Sequence, residues 1–237
     1  MSVASNAVFT RDPKADELAF RLQRGFRALL DAMARPGELA ELGPMAPDAA
    51  AEAARMGLMP QTVALLDVLL DGQTSFCIAG DGSGNATREV SLRTHAHARM
   101  ATDAAFCIVP RTTTGSEASF AIASLSGGTL ISPHLGATVI AECGALIGTD
   151  KDGRRTGSAS GAAPRDAWQL EGPGIDGTSR IECDRADVVD ALAERADEFP
   201  CGVDLVLVDG AGHLACVPRS SRVTALGACG EEGTWAM

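Results

Sequence analysis

Four short apolar runs constrain this chain more than any other feature: SFCIA (75–79), AFCIVP (105–110), ATVIAECGAL (137–146) and VDLVLV (203–208). Runs of this length bounded by Gly, Pro and polar residues predict strands. Between the first two lie a loop, GDGSG (80–84), and ATREVSLRTHAH (86–97), whose pattern suits either a helix or a polar-alternating strand. Strand, loop, helix, strand is the most economical reading, and it is the βαβ unit of a largely parallel sheet. The last run continues through an Asp-Gly-Ala-Gly turn into HLACVP, which predicts a β-hairpin with strands near 203–208 and 213–218. The expected fold is therefore α/β, with a mixed sheet that is parallel early and antiparallel late.

Helical signals fill the remainder. Residues 15–34 place Leu18, Leu22, Phe26, Leu29 and Met33 at alternating spacings of three and four, the stripe of an amphipathic helix that Pro36-Gly37 ends. A Pro-, Ala- and Gly-rich passage follows. Thr62 is placed to cap a helix over VALLDVLLD (63–71), Ser116 one through Leu125, and residues 184–199 one with Val188, Val189 and Leu192 inward. GGTLISP (127–133), AWQLEGPGI (167–175) and SRIECD (179–184) read as further strands. Residues 148–165, rich in Gly and Ser, read as a surface loop at a hairpin tip.

At 237 residues and 46% apolar, the chain has enough material for one main domain. Its net charge of −11 and isoelectric point near 4.8 oppose a nucleic-acid or anionic-membrane partner, since no general positive field exists to release counterions. No run approaches the roughly 20 apolar residues that span a bilayer. The first residues lack the basic-then-apolar order of a secretory signal, so a cytoplasmic location is expected. Seven cysteines without a CxxC point to reduced core thiols, not a disulfide framework or a zinc knuckle.

Seven segments, in order, resemble the PhnH family: FRALLDAMARPGEL, TVALLDVLLD, SLRTHAHA, SPHLGATVI, LEGPGI, FPCGVDLVLV and VPRSSRV, spanning about 18–223. The resemblance implies a single α/β domain over 15–223, between an N-terminal lead (1–14) and a C-terminal tail (224–237). It implies a three-layer mixed sheet similar to the large domain of pyridoxal-phosphate-dependent transferases. It further implies a subunit of the carbon-phosphorus lyase core complex, which with accessory subunits joins a phosphonate to the ribose of ATP with loss of adenine. The implied partners are the other core subunits, with a homodimer when the chain is alone and with ATP and phosphonate as substrates of the complex.

A pyridoxal phosphate Schiff base needs a lysine in a dry site, and the two lysines present, Lys14 and Lys151, lie in polar surroundings; no cofactor is expected. His95 and His97 form an HxH that has no matching partner in His134 or His213, so no metal site is expected. Arg93 and His95 are candidate anion-binding residues, a guanidinium fork beside an imidazole, the plainer alternative being an ion pair of Arg93 with Glu89. Arg219 and Arg222 are candidate interface residues, the alternative being direct binding of a phosphonate or triphosphate. Asp204 suits either a general base or a turn cap. GDGSG lacks the lysine and spacing of a phosphate loop, and Ser126-Gly127-Gly128 lacks the frame of a nucleophile elbow. No catalytic residue is nominated, and a subunit relying on its partners for chemistry is the expectation.

Overall fold

A computed structural model describes residues 13–150, 152–158 and 166–228. Its elements run α1 (Pro13–Ala34), β1 (Ala40–Glu41), α2 (Ala49–Met56), α3 (Pro60–Leu69), β2 (Ser75–Ile78), α4 (Asn85–Thr94) and β3 (His97–Ala98). They continue through β4 (Phe106–Val109), α5 (Ser116–Ala123), β5 (Thr138–Cys143), β6 (Leu146–Thr149) and β7 (Arg155–Ser158). The last are β8 (Asp166–Glu171), β9 (Ser179–Cys183), α6 (Ala186–Ala193), β10 (Asp204–Asp209), β11 (His213–Val217) and β12 (Arg222–Ala228).

The main sheet has the order β1-β11-β10-β5-β4-β2-β3. Neighbours from β10 to β3 are parallel, while β11 and β1 run antiparallel at one edge. Its central strands are buried on both faces, which explains why they read as unbroken apolar runs. In β10, Leu205 and Leu207 join one core while Val206 and Val208 join the other; Cys107 and Val109 of β4 oppose Ile108 in the same way. One core lies under α1, α2, α3 and α4. The other lies under α5, α6 and a second sheet, so three layers form around the main sheet.

That second sheet, antiparallel in the order β12-β8-β9-β6-β7, was not expected. The run 137–146 is not one strand but two in different sheets. The break comes at Gly144 and Ala145, whose backbone N–H groups donate to the Asp184 carboxylate at 2.9 to 3.3 Å. A side chain at Gly144 would strike the Arg111 guanidinium and Asp184, so the chain turns where only glycine fits.

Several expectations are corrected. GGTLISP is irregular: its one ladder pairing among the described residues is an isolated bridge between Gly127 and Gly136. The helix expected over 184–199 is confined to Ala186–Ala193. The Ala-rich passage contains α2, which buries only Ala53 and Met56 and so shows too sparse a stripe to read. Thr62 lies inside α3, which Pro60 begins, and its hydroxyl donates to Glu142 at 2.7 Å. On α1 the buried face is centred on Gly25, Ala28, Leu29 and Ala32, leaving Leu18 and Phe26 about half exposed. Small residues win there because they bring the helix close: Val68 lies against Gly25. The 155–158 strand closes a hairpin with β6. β12 runs to Ala228, and residues 1–12 and 229–237 of the expected lead and tail lie outside the described residues.

No helix among the described residues is long and apolar enough to cross a membrane. Cys107, Cys143, Cys183 and Cys216 are buried, and the described cysteines are free thiols. Burial pushes the Cys216 thiol well up, and the neighbouring thiol of Cys77 followed by burial does the same for Cys107. Such thiols are poor nucleophiles.

Candidate functional site

Four arginines, Arg93, Arg185, Arg195 and Arg219, each grip a different set of acceptors. Arg93, near the end of α4, grips both oxygens of Asp67 on α3, with Nε at 2.6 Å and Nη2 at 2.7 Å, while Nη1 reaches Glu52 on α2 at 2.6 Å. The hydrogen bonds to Asp67, and then its charge, push the guanidinium further toward the charged form. This triad lines a cavity of about 170 Å³ between α1, α2 and α3, whose walls also include Leu22, Met45 and Val63. Glu89 is not the partner: the helix turns Arg93 toward neighbouring helices instead of along its own face.

His95 follows directly after α4 as its C-cap, exposed and with left-handed backbone, φ 63°. It does not line the Arg93 cavity. The structure therefore separates the two candidate anion-binding residues. It closes the Arg93 fork with carboxylates, which oppose an incoming anion.

Arg219 follows β11 and turns inward. Its backbone N–H donates to Asp204 Oδ1 at 2.8 Å, its Nε bonds both Asp204 oxygens at 3.1 and 3.2 Å, and its Nη groups reach Pro133 O at 2.7 Å and Gly136 O at 3.3 Å. Arg219 thus joins the start of β10 to the loop entering β5. Asp204 is engaged in that joint. Arg222, at the start of β12, is exposed and lines the edge of a cleft of about 450 Å³ that Arg219, Ser221, Phe199 and Cys201 also line. The Ser221 hydroxyl is buried and has no hydrogen-bond partner among the described residues.

Two other arginines escaped the sequence reading. Arg185, 2% exposed, donates to Glu142 O at 2.7 Å, Thr113 O at 2.8 Å and Pro110 O at 3.4 Å, and pairs with Asp187. Arg195 pairs with Asp197 at 2.6 Å and donates to Ile122 O and Leu125 O at the end of α5. Two carboxylates at the carboxyl ends of parallel strands were also missed. Glu142 accepts from Met59 N, Thr62 Oγ1 and Arg111 N. Asp209, fully buried, accepts from the N–H groups of Ala211 and His213 and bonds His213 Nδ1 at 2.8 Å. The D-G-A-G-H spacing is the one available signal for this last pair, since an Asp opening a turn captures amides two and four residues on.

The other motifs resolve plainly. Lys14 falls within α1, and Lys151 lies outside the described residues. His97 opens the short edge strand β3. In GDGSG, Asp81 accepts from Thr87 N at 2.7 Å and Ser83 Oγ at 3.1 Å, so the loop tethers α4 through its own carboxylate. No group of three or more metal-ligating side chains forms among the described residues.

The fold is a three-layer α/β domain in which Arg93, Arg185, Arg195 and Arg219 are spent on its own carboxylates and carbonyls. The chain belongs to the PhnH family, described as bacterial phosphonate metabolism protein, whose family model matches residues 14–224. Comparison with curated proteins gives no match.

Proposed function

We propose that this chain acts in phosphonate metabolism as a subunit of the carbon-phosphorus lyase core complex, supporting transfer of a phosphonate to the ribose of ATP with release of adenine. The observation that carries the reading is the family match over 14–224. The engagement of Arg93, Arg185, Arg195 and Arg219 within the fold supports it, because those donors are occupied before any substrate arrives. Partners then supply most of the groups that contact the triphosphate and the phosphonate, and ATP and phosphonate are substrates of the assembly. Adenine release from ATP and methylphosphonate tests this. The purified chain alone gives none, and the co-expressed assembly gives adenine that is lost when this chain is omitted. Turnover by the chain alone contradicts the proposal.

A second reading, direct binding of an anionic substrate group by this chain, is favoured by one feature. The exposed Arg222 lines the same cleft as Ser221, whose hydroxyl has no partner among the described residues. Calorimetry with a nonhydrolysable ATP analogue tests it: heat in the wild type that Arg222→Ala abolishes supports direct binding, and no heat in the wild type ends it.

A further inference from the structure

Five large apolar side chains stand out from one end of the main sheet. Ile131 is 95% exposed, Leu130 75% and Leu135 60%, all in the loop before β5; Phe120 of α5 is 74% exposed and Phe199 72%. They belong to segments that are fastened to one another. Gly202 N donates to Gly127 O at 2.8 Å, and Ala137 N to Ser126 O at 2.9 Å. Arg219 holds Pro133 O and Gly136 O, and Arg195 with Asp197 ties the end of α5 to the segment that carries Phe199. Gly127 lies so near the Asp197 carboxylate that any side chain there would collide with it.

Together these side chains present on the order of 600 Å² of apolar surface, at or above the few hundred typical of a lone soluble protein. That area suits the apolar centre of a standard interface of roughly 800 Å² a side. The loop is held by hydrogen bonds in a shape that keeps its apolar groups outward, so little ordering remains to be done on contact. The flanking charge selects the occupant. Exposed Glu198 directly precedes Phe199, exposed Glu194 lines a groove with Phe120, and the chain as a whole carries −11, with Arg222 the exposed cation of the cleft that Phe199 lines. A second copy would bring the same acidic rim and the same net charge, whereas a basic-rimmed partner complements both.

We infer that the surface formed by Phe120, Leu130, Ile131, Leu135 and Phe199 docks a different protein, one with an apolar centre and a basic rim, and that this protein is a sister subunit of the complex. The inference rests on the subunit reading above. Its test is co-expression with the other subunits of the phosphonate-degrading assembly from the same organism, followed by size-exclusion chromatography. Wild type, Ile131→Glu/Phe199→Glu and Phe26→Glu/Leu30→Glu, the last pair on the exposed side of α1, are compared. Circular dichroism and thermal midpoint confirm that each variant folds.

The loop variant is expected to lose about thirtyfold or more in complex affinity while the α1 variant assembles as wild type. Assembly of the loop variant at wild-type levels overturns the inference and leaves the subunit reading intact. Loss of assembly only in the α1 variant, or conversion of a wild-type homodimer to a monomer by the loop substitutions, overturns it equally. Failure of the wild type to assemble overturns the subunit reading, and the inference with it.

Discussion

Replacing Arg219 with Met keeps the aliphatic bulk at the corner between β11 and β12 and removes every donor of the guanidinium. Asp204 then loses its cation, Gly136 O loses the guanidinium donor, and Pro133 O keeps only the Gly136 N–H. Truncating one member of a fully buried pair costs about 3–5 kcal/mol. Here the two side chains are 17% and 18% exposed, so water relieves part of that penalty, and about 2–4 kcal/mol is expected. For a domain of this size that lowers the thermal midpoint by roughly 4–16 °C. Urea unfolding of the isolated chain measures it, and a cycle with Asp204→Asn should return a coupling of about 1–3 kcal/mol. The effect must appear without any partner present. A loss below about 0.5 kcal/mol would refute the internal joint and return Arg219 to the role of a free interface residue.

Arg93→Ala leaves Asp67 and Glu52, each about a quarter exposed, facing one another without a cation, and should cost about 1–2 kcal/mol in urea unfolding. Thr62→Val removes a donor from buried Glu142 and should cost about 1–3 kcal/mol, while Thr62→Ser stays near wild type; a neutral valine contradicts the bond. Burial pushes Asp81 up, but hydrogen bonds from the Thr87 backbone and hydroxyl and from Ser83 outweigh it and hold the carboxyl below its ordinary value. Its stabilising contribution is therefore present above the unfolded value near 4 and lost as pH falls through the lower folded one. Asp81→Asn should accordingly differ from wild type in thermal midpoint at pH 7 and match it near pH 2.

Elements buried on both faces were the most legible. β2, β4, β5 and the hairpin of β10 and β11 declare themselves by unbroken apolar runs, because both cores demand apolar residues there. Boundaries set by side chains distant in sequence were hidden. Asp184, forty residues away, decides where β5 stops, and Glu142, eighty residues away, turns Thr62 from a cap into a core donor. The second sheet was unreadable for a related reason: strand sequences show which faces are apolar but not which of two sheets receives them. Among the site residues, Arg93 finds its partners 26 and 41 residues away, beyond any local spacing rule. Arg185 and Arg195 gave no signal at all, since a buried arginine and a surface one look alike in sequence until the carbonyls around them are placed.

The central claim, that this chain works as part of a larger assembly, is tested most directly by native mass spectrometry of the chain alone and co-expressed with the other phosphonate-degradation subunits of its organism. The account predicts one defined complex of fixed stoichiometry containing this chain. Persistence of the chain as a separate monomer or homodimer in the presence of all the other subunits would contradict it.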